Sequence, residues 1–242
     1  LWFIFRRLIC GNSFIIMKRI RCHLPFFMLT LWMLCASYAM CQTTSSTLLI
    51  QANRATLERE YVKALGLYDQ YIAVNPYDFR GYFNRGTTRY NANQYAEARA
   101  DFTKTLELNP IYREAYYYRG MCLVALKEYD LAIKDYTHVL EENPKSVPFL
   151  KLRAEAYEAA GDKDLALADL DRAVLVNKLS GDLYKRRAEL KVKMDDTEGA
   201  LRDYSKVEKL IPAYKMVHYI KGNLYLKISD TEFACEQFQK AL

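Results

Sequence analysis

The strongest constraint on this chain is a repeat of 34 residues. Short segments that interrupt a helix stand at five positions, each 34 residues after the one before: Asn75-Pro76, Asn109-Pro110, Asn143-Pro144, Asn177-Lys178 and Ile211-Pro212. Repeats of this length are typical of units with two antiparallel helices, which bury their apolar faces only by stacking on neighbouring units. The period therefore predicts an elongated all-α array without a single central core.

Side chains follow the same period as the loops. In each predicted second helix an alanine is followed four residues later by a large residue, and this spacing places both on one helical face. The six pairs are Ala64/Tyr68, Ala98/Phe102, Ala132/Tyr136, Ala166/Leu170, Ala200/Tyr204 and Ala234/Phe238. In the predicted first helices the large residue comes first, in the pairs Leu48/Ala52, Tyr82/Gly86, Tyr116/Gly120, Leu150/Ala154, Tyr184/Ala188 and His218/Gly222. Large beside small predicts closely packed helices.

These residues make the chain resemble the tetratricopeptide repeat (TPR) proteins over residues 47–242. The resemblance implies an all-α fold, a right-handed α-solenoid of stacked helix-turn-helix units. The repeats are then 47–78, 79–112, 113–146, 147–180, 181–214 and an incomplete 215–242. Two positions depart from the pattern. Lys178 replaces the usual proline, and Arg59 stands where later copies have Asn93, Gly161, Asp195 or Ser229.

The residues before the repeats predict export. Lys18, Arg19 and Arg21 precede the apolar run 24–39, and the polar linker 42–46 follows, as in a secretory signal peptide. Met17 is the natural first residue of such a leader, so residues 1–16 are interpreted as an over-extended start within a segment 1–41. Cleavage after residue 39 or 41 satisfies the preference for small residues. We predict an exported protein, periplasmic or in the cell envelope.

Two alternatives to a cleaved leader stay open. Residues 24–41 are eighteen residues long, close to the minimum that spans a bilayer, so an uncleaved signal anchor would attach the repeats to a membrane. Cys41 could instead carry a lipid, but Met40 is large for the position before a lipidated cysteine. All three interpretations export the repeats, and the membrane enters only through an uncleaved leader.

The charge distribution argues against nucleic acid as a partner. Five of the 35 basic residues lie in the leader, which contains no acidic residue, and the remainder of the chain has 30 basic and 29 acidic residues. A near-neutral array without a basic stripe lacks the electrostatic surface that phosphate backbones require.

Catalytic and metal-binding patterns are absent from the sequence. The chain has three histidines, and none stands at metal-ligand spacing from a second histidine or an acidic cluster. There is no phosphate-binding glycine loop, nucleophile elbow or paired-cysteine zinc motif. We therefore predict a protein that is not an enzyme and needs no cofactor. Cys122 and Cys235, the two cysteines outside the leader, are three repeats apart and are predicted to be buried free thiols.

One charged pattern repeats inside the array. Arginines on four first helices match aspartates on the second helices of the same repeats: Arg85/Asp101, Arg119/Asp135, Arg153/Asp169 and Arg187/Asp203. The first repeat has Gln51 and Leu67 at these two slots, and the last has Lys221 and Gln237. We predict an ion pair within each middle repeat, worth about 0–1 kcal/mol if it is partly exposed.

The candidate binding surface consists of the first-helix positions left over after packing. The TPR resemblance implies that first helices line the concave surface, where a peptide or a partner helix would bind. The candidate residues are Arg80, Phe83, Thr87, Tyr90, Glu114, Tyr117, Tyr118, Met121, Lys151, Glu155, Lys185 and Glu189. The set is aromatic in the second and third repeats and of mixed charge in the fourth and fifth. The alternative is that the tyrosines pack between adjacent helices.

Function is therefore predicted as a class: a scaffold or adaptor that binds a protein or peptide. A clamp for a C-terminal carboxylate, as in some TPR co-chaperones, is not predicted. Asn53 and Asn84 match its two asparagines, but the slots for its cations hold Leu49, Glu114 and Tyr118. The alternative function is the recognition arm of a larger enzyme or signalling protein that continues past Leu242. Since the chain stops inside a predicted helix, an open C-terminal face could also support homo-association.

Overall fold

The computed structural model describes residues 45–242. The predicted leader, 1–41, lies outside the described residues. The described chain divides into two compact units, the first ending at Pro76 and the second formed by Tyr77–Leu242.

The first unit is one helical hairpin. It consists of α1, over residues 45–57, and α2, Tyr61–Val74. Ala52 of α1 packs with Ala64 and Tyr68 of α2 in one apolar cluster. At the open end of the hairpin, Asn75 Nδ2 donates to Ser45 Oγ over 2.6 Å. The small-beside-large pattern thus builds the predicted hairpin at the first copy of the repeat.

The second unit is all helical over Tyr77–Leu242. Its helices are α3 (Phe79–Asn91), α4 (Tyr95–Leu108), α5 (Arg113–Ala125), α6 (Tyr129–Glu142), α7 (Val147–Ala160), α8 (Lys163–Val176), α9 (Gly181–Lys193), α10 (Thr197–Leu210), α11 (Met216–Lys227) and α12 (Thr231–Ala241). They form the hairpins α3/α4, α5/α6, α7/α8, α9/α10 and α11/α12. The odd-numbered members are the first helices of the sequence pattern, and the even-numbered ones are the second helices.

Each hairpin stacks on the next through shared apolar clusters. Tyr136 of α6 lies in one cluster with Leu123 of α5 and Ala156 of α7. Likewise Leu170 of α8 packs with Leu190 of α9. The core is thus distributed along the stack, and the predicted all-α solenoid is confirmed. The number and bounds of the repeats stay predictions.

The alanines of the second helices sit where neighbouring helices approach most closely. All of them are fully buried: Ala64, Ala98, Ala132, Ala166, Ala200 and Ala234. In α5, Gly120 lies so close to the ring of Tyr136 that a Cβ atom there would be 2.4 Å from the nearest ring carbon. A side chain at this position would force the two helices apart, which explains why the slot holds only glycine or alanine.

The turn inside every hairpin has the same backbone. One residue in each turn has a φ angle in the left-handed region: Arg59, Asn93, Lys127, Gly161, Asp195 and Ser229. The N–H of the next residue then donates to a carbonyl five residues back, as Glu128 does to Leu123 over 2.8 Å. Arg59, which departs from the sequence pattern, adopts the same turn as the other copies. Tertiary packing therefore imposes this conformation on residues that do not favour it.

Candidate functional site

The predicted binding residues lie on the first helices of four hairpins and differ in exposure. Arg80, Glu114 and Glu155 are exposed. The others are partly buried: Phe83, Thr87, Tyr90, Tyr117, Tyr118, Met121, Lys151, Lys185 and Glu189. The structure brings them together as two groups with different chemistry, an aromatic region on α3 and α5 and a charged region on α7 and α9.

The aromatic region is a chain of ring contacts between neighbouring hairpins. Phe83 of α3 meets Tyr112 edge-on, with ring centroids 4.9 Å apart, and Tyr118 of α5 at 5.8 Å. Tyr118 also stacks on the fully buried Phe102 at 5.6 Å. Tyr117 extends the chain towards α7 through Phe149 at 6.3 Å. These contacts hold the rings rigid while leaving several of their edges partly exposed.

The aromatic region has few polar side-chain atoms, and most of them already have a hydrogen-bond partner within the protein. The hydroxyl of Tyr90 contacts Met121 Sδ at 3.9 Å, and burial raises the pKa of this tyrosine. Thr87 Oγ1 donates to the Asn84 carbonyl of its own helix over 2.8 Å. The region therefore presents chiefly apolar and aromatic surface, which is the composition of many binding hot spots.

In the charged region the protein satisfies much of its own charge. Glu158 of α7 accepts hydrogen bonds from Arg186 and from Lys193 of α9, the latter over 2.6 Å. Lys185 places its Nζ 4.5 Å from the ring centre of Tyr214. Burial alone would raise the pKa of Glu158, but hydrogen bonds and charges from Lys193 and Arg186 outweigh it and lower the pKa below its ordinary value. This region ties α7/α8 to α9/α10.

The predicted Arg–Asp pairs are confirmed in all four hairpins. Their shortest nitrogen–oxygen distances run from 2.5 to 2.7 Å, in Arg85/Asp101, Arg119/Asp135, Arg153/Asp169 and Arg187/Asp203. All four aspartates are buried, at 6% exposure or less. The energetic prediction of about 0–1 kcal/mol, which supposed partly exposed pairs, therefore does not apply to these positions.

The arginines also connect successive hairpins. Arg153 Nη1 donates to Thr137 Oγ1 of the preceding second helix over 2.9 Å, and Arg187 Nη1 donates to Asp171 Oδ1 over 2.8 Å. Each guanidinium thus holds the aspartate of its own hairpin and a polar residue of the one before. The sequence period identified the first contact; the second was missed, although Thr137 and Asp171 also stand 34 residues apart.

The last hairpin replaces this pair with a different arrangement. Lys221, at the arginine slot, is buried and reaches Glu208 of the preceding hairpin over 2.7 Å. Gln237, at the aspartate slot, lies 3.1 Å from His218 Nδ1 through its Oε1. His218 therefore packs within its hairpin, as the sequence predicted. Beside α11 and α12 lies an apolar cavity of about 550 Å³, lined by Lys215, Met216, Tyr219, Phe238, Ala241 and Leu242. Homo-association through this face stays a prediction.

One cysteine prediction is wrong. Cys122 is buried, and burial raises the pKa of its thiol to about 12. Cys235 is exposed, although it was predicted to be buried. The equivalent Leu201 lies in one apolar cluster with Val217 and Leu224 of the following first helix, α11, and among the described residues no helix follows α12. Both cysteines are free thiols, as predicted.

Within residues 45–242 no group of three or more His, Cys, Asp and Glu side chains is placed to hold a metal ion. No helix of this part of the chain combines the length and apolar composition needed to cross a bilayer.

Comparisons with known proteins agree with the helical stack. A sequence model described as "Tetratricopeptide repeat" matches residues 83–147 and 128–182. Among curated proteins, none is similar enough to this chain to count as a match.

Solved structures supply the fold relatives. MamA from Desulfovibrio magneticus RS-1 is 20% identical, with 70% of this chain and 96% of that chain covered and a TM-score of 0.65. YrrB, described as a TPR protein with an unusual peptide-binding site, is 23% identical, with coverage of 72% and 90% and a TM-score of 0.58. A thermophilic TPR protein from Thermus thermophilus is 20% identical, with coverage of 75% and 99% and a TM-score of 0.54. At these identities the likeness shows the fold alone.

Proposed function

Because this chain contains tetratricopeptide repeats stacked as an α-solenoid, a fold that suggests a scaffold for protein–protein interaction, we propose that it is a non-enzymatic adaptor. In this proposal it binds a peptide or a partner helix on the surface of its first helices. The site is the aromatic region on α3 and α5, centred on Phe83, Tyr117, Tyr118 and Met121.

The observation that carries the proposal is the difference in how the two regions use their side chains. In the charged region Glu158, Arg186 and Lys193 neutralise one another, so a ligand would have to break existing ion pairs. In the aromatic region the rings are fixed by contacts with each other and remain partly exposed. Rigid aromatic surface binds at low entropic cost, because few rotamers are lost.

The similar structure YrrB, whose description names a peptide-binding site, supports peptide as the ligand class. The proposal also includes export to the periplasm or cell envelope. That part rests on the leader-like sequence at residues 18–39, which lies outside the described residues.

Selection from a random 12-residue peptide library, displayed on phage, tests the proposal with the full chain as bait. Selected peptides are resynthesised, and their Kd values are measured by fluorescence anisotropy. We expect Tyr117→Ala to weaken binding about tenfold or more, because aromatic anchors dominate such surfaces.

Tyr77→Ala is the matched control, since Tyr77 is 86% exposed and precedes α3. It should leave Kd within about twofold. Thermal unfolding of both variants checks that the fold is kept. Equal Kd values for the Tyr117→Ala and Tyr77→Ala variants, or weakening by Glu155→Ala alone, would contradict the aromatic region as the site.

A further inference from the structure

The third hairpin contains a polar atom that its own structure does not satisfy. The Tyr136 hydroxyl is buried and has no hydrogen-bond partner among the described residues. The Tyr136 side chain as a whole is fully buried. A buried hydroxyl without a partner carries a free-energy cost of about 1–3 kcal/mol, so its presence calls for an explanation.

The equivalent tyrosine of the first unit shows what is missing. Tyr68 stands two periods before Tyr136, and its hydroxyl donates to Asn53 Oδ1 over 2.7 Å. Thr56 Oγ1 lies 3.3 Å from the same hydroxyl. In α5 the positions of Asn53 and Thr56 are taken by Met121 and Val124. The third hairpin keeps the hydroxyl but has lost both polar partners.

The Tyr136 hydroxyl lies close to α5, the first helix of its own hairpin, because a Cβ atom on Gly120 would be 2.8 Å from it. The counterpart hydroxyl of Tyr68 reaches Asn53, the residue directly after Ala52, which holds the slot of Gly120. Met121, at that position, is held by the Tyr90 hydroxyl at 3.9 Å. Repeat equivalence therefore makes Met121 the cover over Tyr136. A methionine is flexible enough to move aside for a ligand.

The surroundings select the kind of group that the hydroxyl can bind. Burial, and after it the charges of Asp135 and Glu155, raise the pKa of Tyr136, so the group stays protonated and acts as a donor. Glu155, an exposed carboxylate of α7, is one of the charges that act on the hydroxyl, and Glu114 is an exposed carboxylate in the first turn of α5. Their charge disfavours an anionic acceptor, which leaves a neutral one. The commonest neutral acceptor in a peptide is a main-chain carbonyl.

We propose that the Tyr136 hydroxyl donates a hydrogen bond to a main-chain carbonyl of an extended peptide that crosses Tyr117 and displaces the Met121 side chain. This inference rests on the proposed function and adds a specific polar contact to it. The aromatic rings supply apolar contact area, and the buried hydroxyl fixes the position of the peptide along the surface. The peptide binds through an internal segment, since a terminal carboxylate would meet Glu114 and Glu155.

Tyr136→Phe tests the contact, because it removes only the hydroxyl. Kd is measured for peptides selected from the 12-residue library by the wild-type chain, each made with an amidated and with a free C-terminus. We expect Tyr136→Phe to weaken binding about fivefold or more, with the free energy of unfolding unchanged or raised. Labelling methionine methyl groups with ¹³C provides a second readout, in which the Met121 signal shifts when the peptide binds.

Tyr68→Phe is the matched control, because its hydroxyl has a partner in Asn53. It should lower stability, with a fall in Tm of about 2–4 °C, and leave Kd unchanged. Wild-type affinity in Tyr136→Phe would overturn the inference, as would a loss of stability like that of Tyr68→Phe, which would reveal a structural partner. Tighter binding of peptides with a free carboxylate would also contradict it. If the wild-type chain selects no peptide, the proposed function itself fails, an outcome distinct from the other three.

Discussion

The hairpins α3/α4 and α5/α6 differ from α7/α8 and α9/α10 in what joins one hairpin to the next. In the first pair, aromatic rings such as Phe83 and Tyr118 make the contact between first helices, and Arg99 of α4 pairs with Glu128 in the turn of the next hairpin. In the second pair, Glu158 and its cations cross the interface. Both pairs carry the same ion pair, of a partly buried arginine and a buried aspartate, inside each hairpin. The same ion pairs can therefore support two different surfaces. Among the described residues, only the first pair of hairpins contains a buried polar side-chain atom without a hydrogen-bond partner.

The comparison shows how a repeat protein can vary the surface between its hairpins without changing its fold. At positions buried inside each hairpin, the residue type recurs every 34 residues. At positions between hairpins, the residue type differs from copy to copy. Where charged residues occupy these variable positions, as Glu158 does, they form ion pairs with one another. Where a large apolar residue occupies such a position, as Met121 does, the Tyr136 hydroxyl has no acceptor among the described residues. We therefore look for function where a substitution breaks a contact that another copy makes, as Tyr68 does.

The first prediction tests whether the Arg–Asp ion pairs stabilise the aromatic and the charged hairpins equally. We expect Asp135→Asn and Asp169→Asn to cost about 3 kcal/mol each, because each leaves a largely buried guanidinium without its counter-charge. The figure lies at the lower end for buried pairs, since Arg119 and Arg153 remain 21% and 12% exposed. Urea unfolding measures both. Very different costs in the two regions would show that the pairs do not stabilise both equally.

Lys104→Gln is the control for that measurement. It breaks an exposed pair with Glu107 on α4, which should cost about 0.5 kcal/mol or less. If Asp135→Asn costs no more than Lys104→Gln, the buried pairs behave as surface pairs and the energetic argument is wrong.

The next effect concerns helix spacing in the aromatic region, where the slot of Gly120 holds glycine while the charged region has Ala154 and Ala188. We expect Gly120→Ala to cost about 1–3 kcal/mol, because the new methyl group would overlap the Tyr136 ring. Gly66→Ala in α2 is the control. Nothing lies within 4 Å of its Cβ position, so alanine should stabilise by about 0.5–1 kcal/mol. A gain at both positions would mean that α5 and α6 can separate freely.

A smaller effect is expected for the ions between hairpins. Glu158→Gln should cost about 1 kcal/mol at pH 7. The pKa of Glu158 is lowered in the folded state, so its contribution is present above the ordinary carboxyl pKa and is lost as pH falls through the folded value. The cost of Glu158→Gln should therefore shrink below about pH 4.

Glu155→Gln, one helical turn earlier on α7, is the matched control, because Glu155 is exposed and forms none of the ion pairs found among the described residues. Glu155→Gln should leave the free energy of unfolding nearly unchanged, both at pH 7 and below about pH 4. A cost for Glu158→Gln that did not change with pH would place the origin of the effect in packing rather than charge.

The sequence predicted the features that recur with the repeat, but it did not predict the features that depend on how deeply a side chain is buried. The period predicted the helical stack, and the matching of Arg119 with Asp135 predicted their ion pair. It could not supply the burial that decides the energy of that pair. Nor could it find the Tyr136 hydroxyl, because its lost acceptor becomes visible only beside the bonded Tyr68. The exposure of Cys235 was missed because other copies have apolar residues at this slot, such as Leu167 and Leu201.

Contacts between hairpins were the hardest to predict. Glu158 and Arg186 form a pair that neighbouring copies do not repeat. The copy before has Val124 and Leu152 at these two slots, so no recurring pattern points to the pair. The turns posed the opposite problem. The backbone repeats at Arg59 and Lys127 while the residue type does not, because stacking holds the turn in a conformation that these residues adopt only at a cost.

The turns of the aromatic and the charged hairpins should differ slightly in backbone strain. Lys127 closes the aromatic hairpin α5/α6 with a φ of 63°, whereas Gly161 closes the charged hairpin α7/α8 with a φ of 99°. Glycine adopts the left-handed region without steric strain, so Lys127→Gly should stabilise by about 0.5–1 kcal/mol despite the entropy that glycine loses on folding. Lys127→Ala keeps the Cβ atom and should change little. Equal stability of the two variants in urea unfolding would mean that the aromatic hairpin stores no strain in its turn.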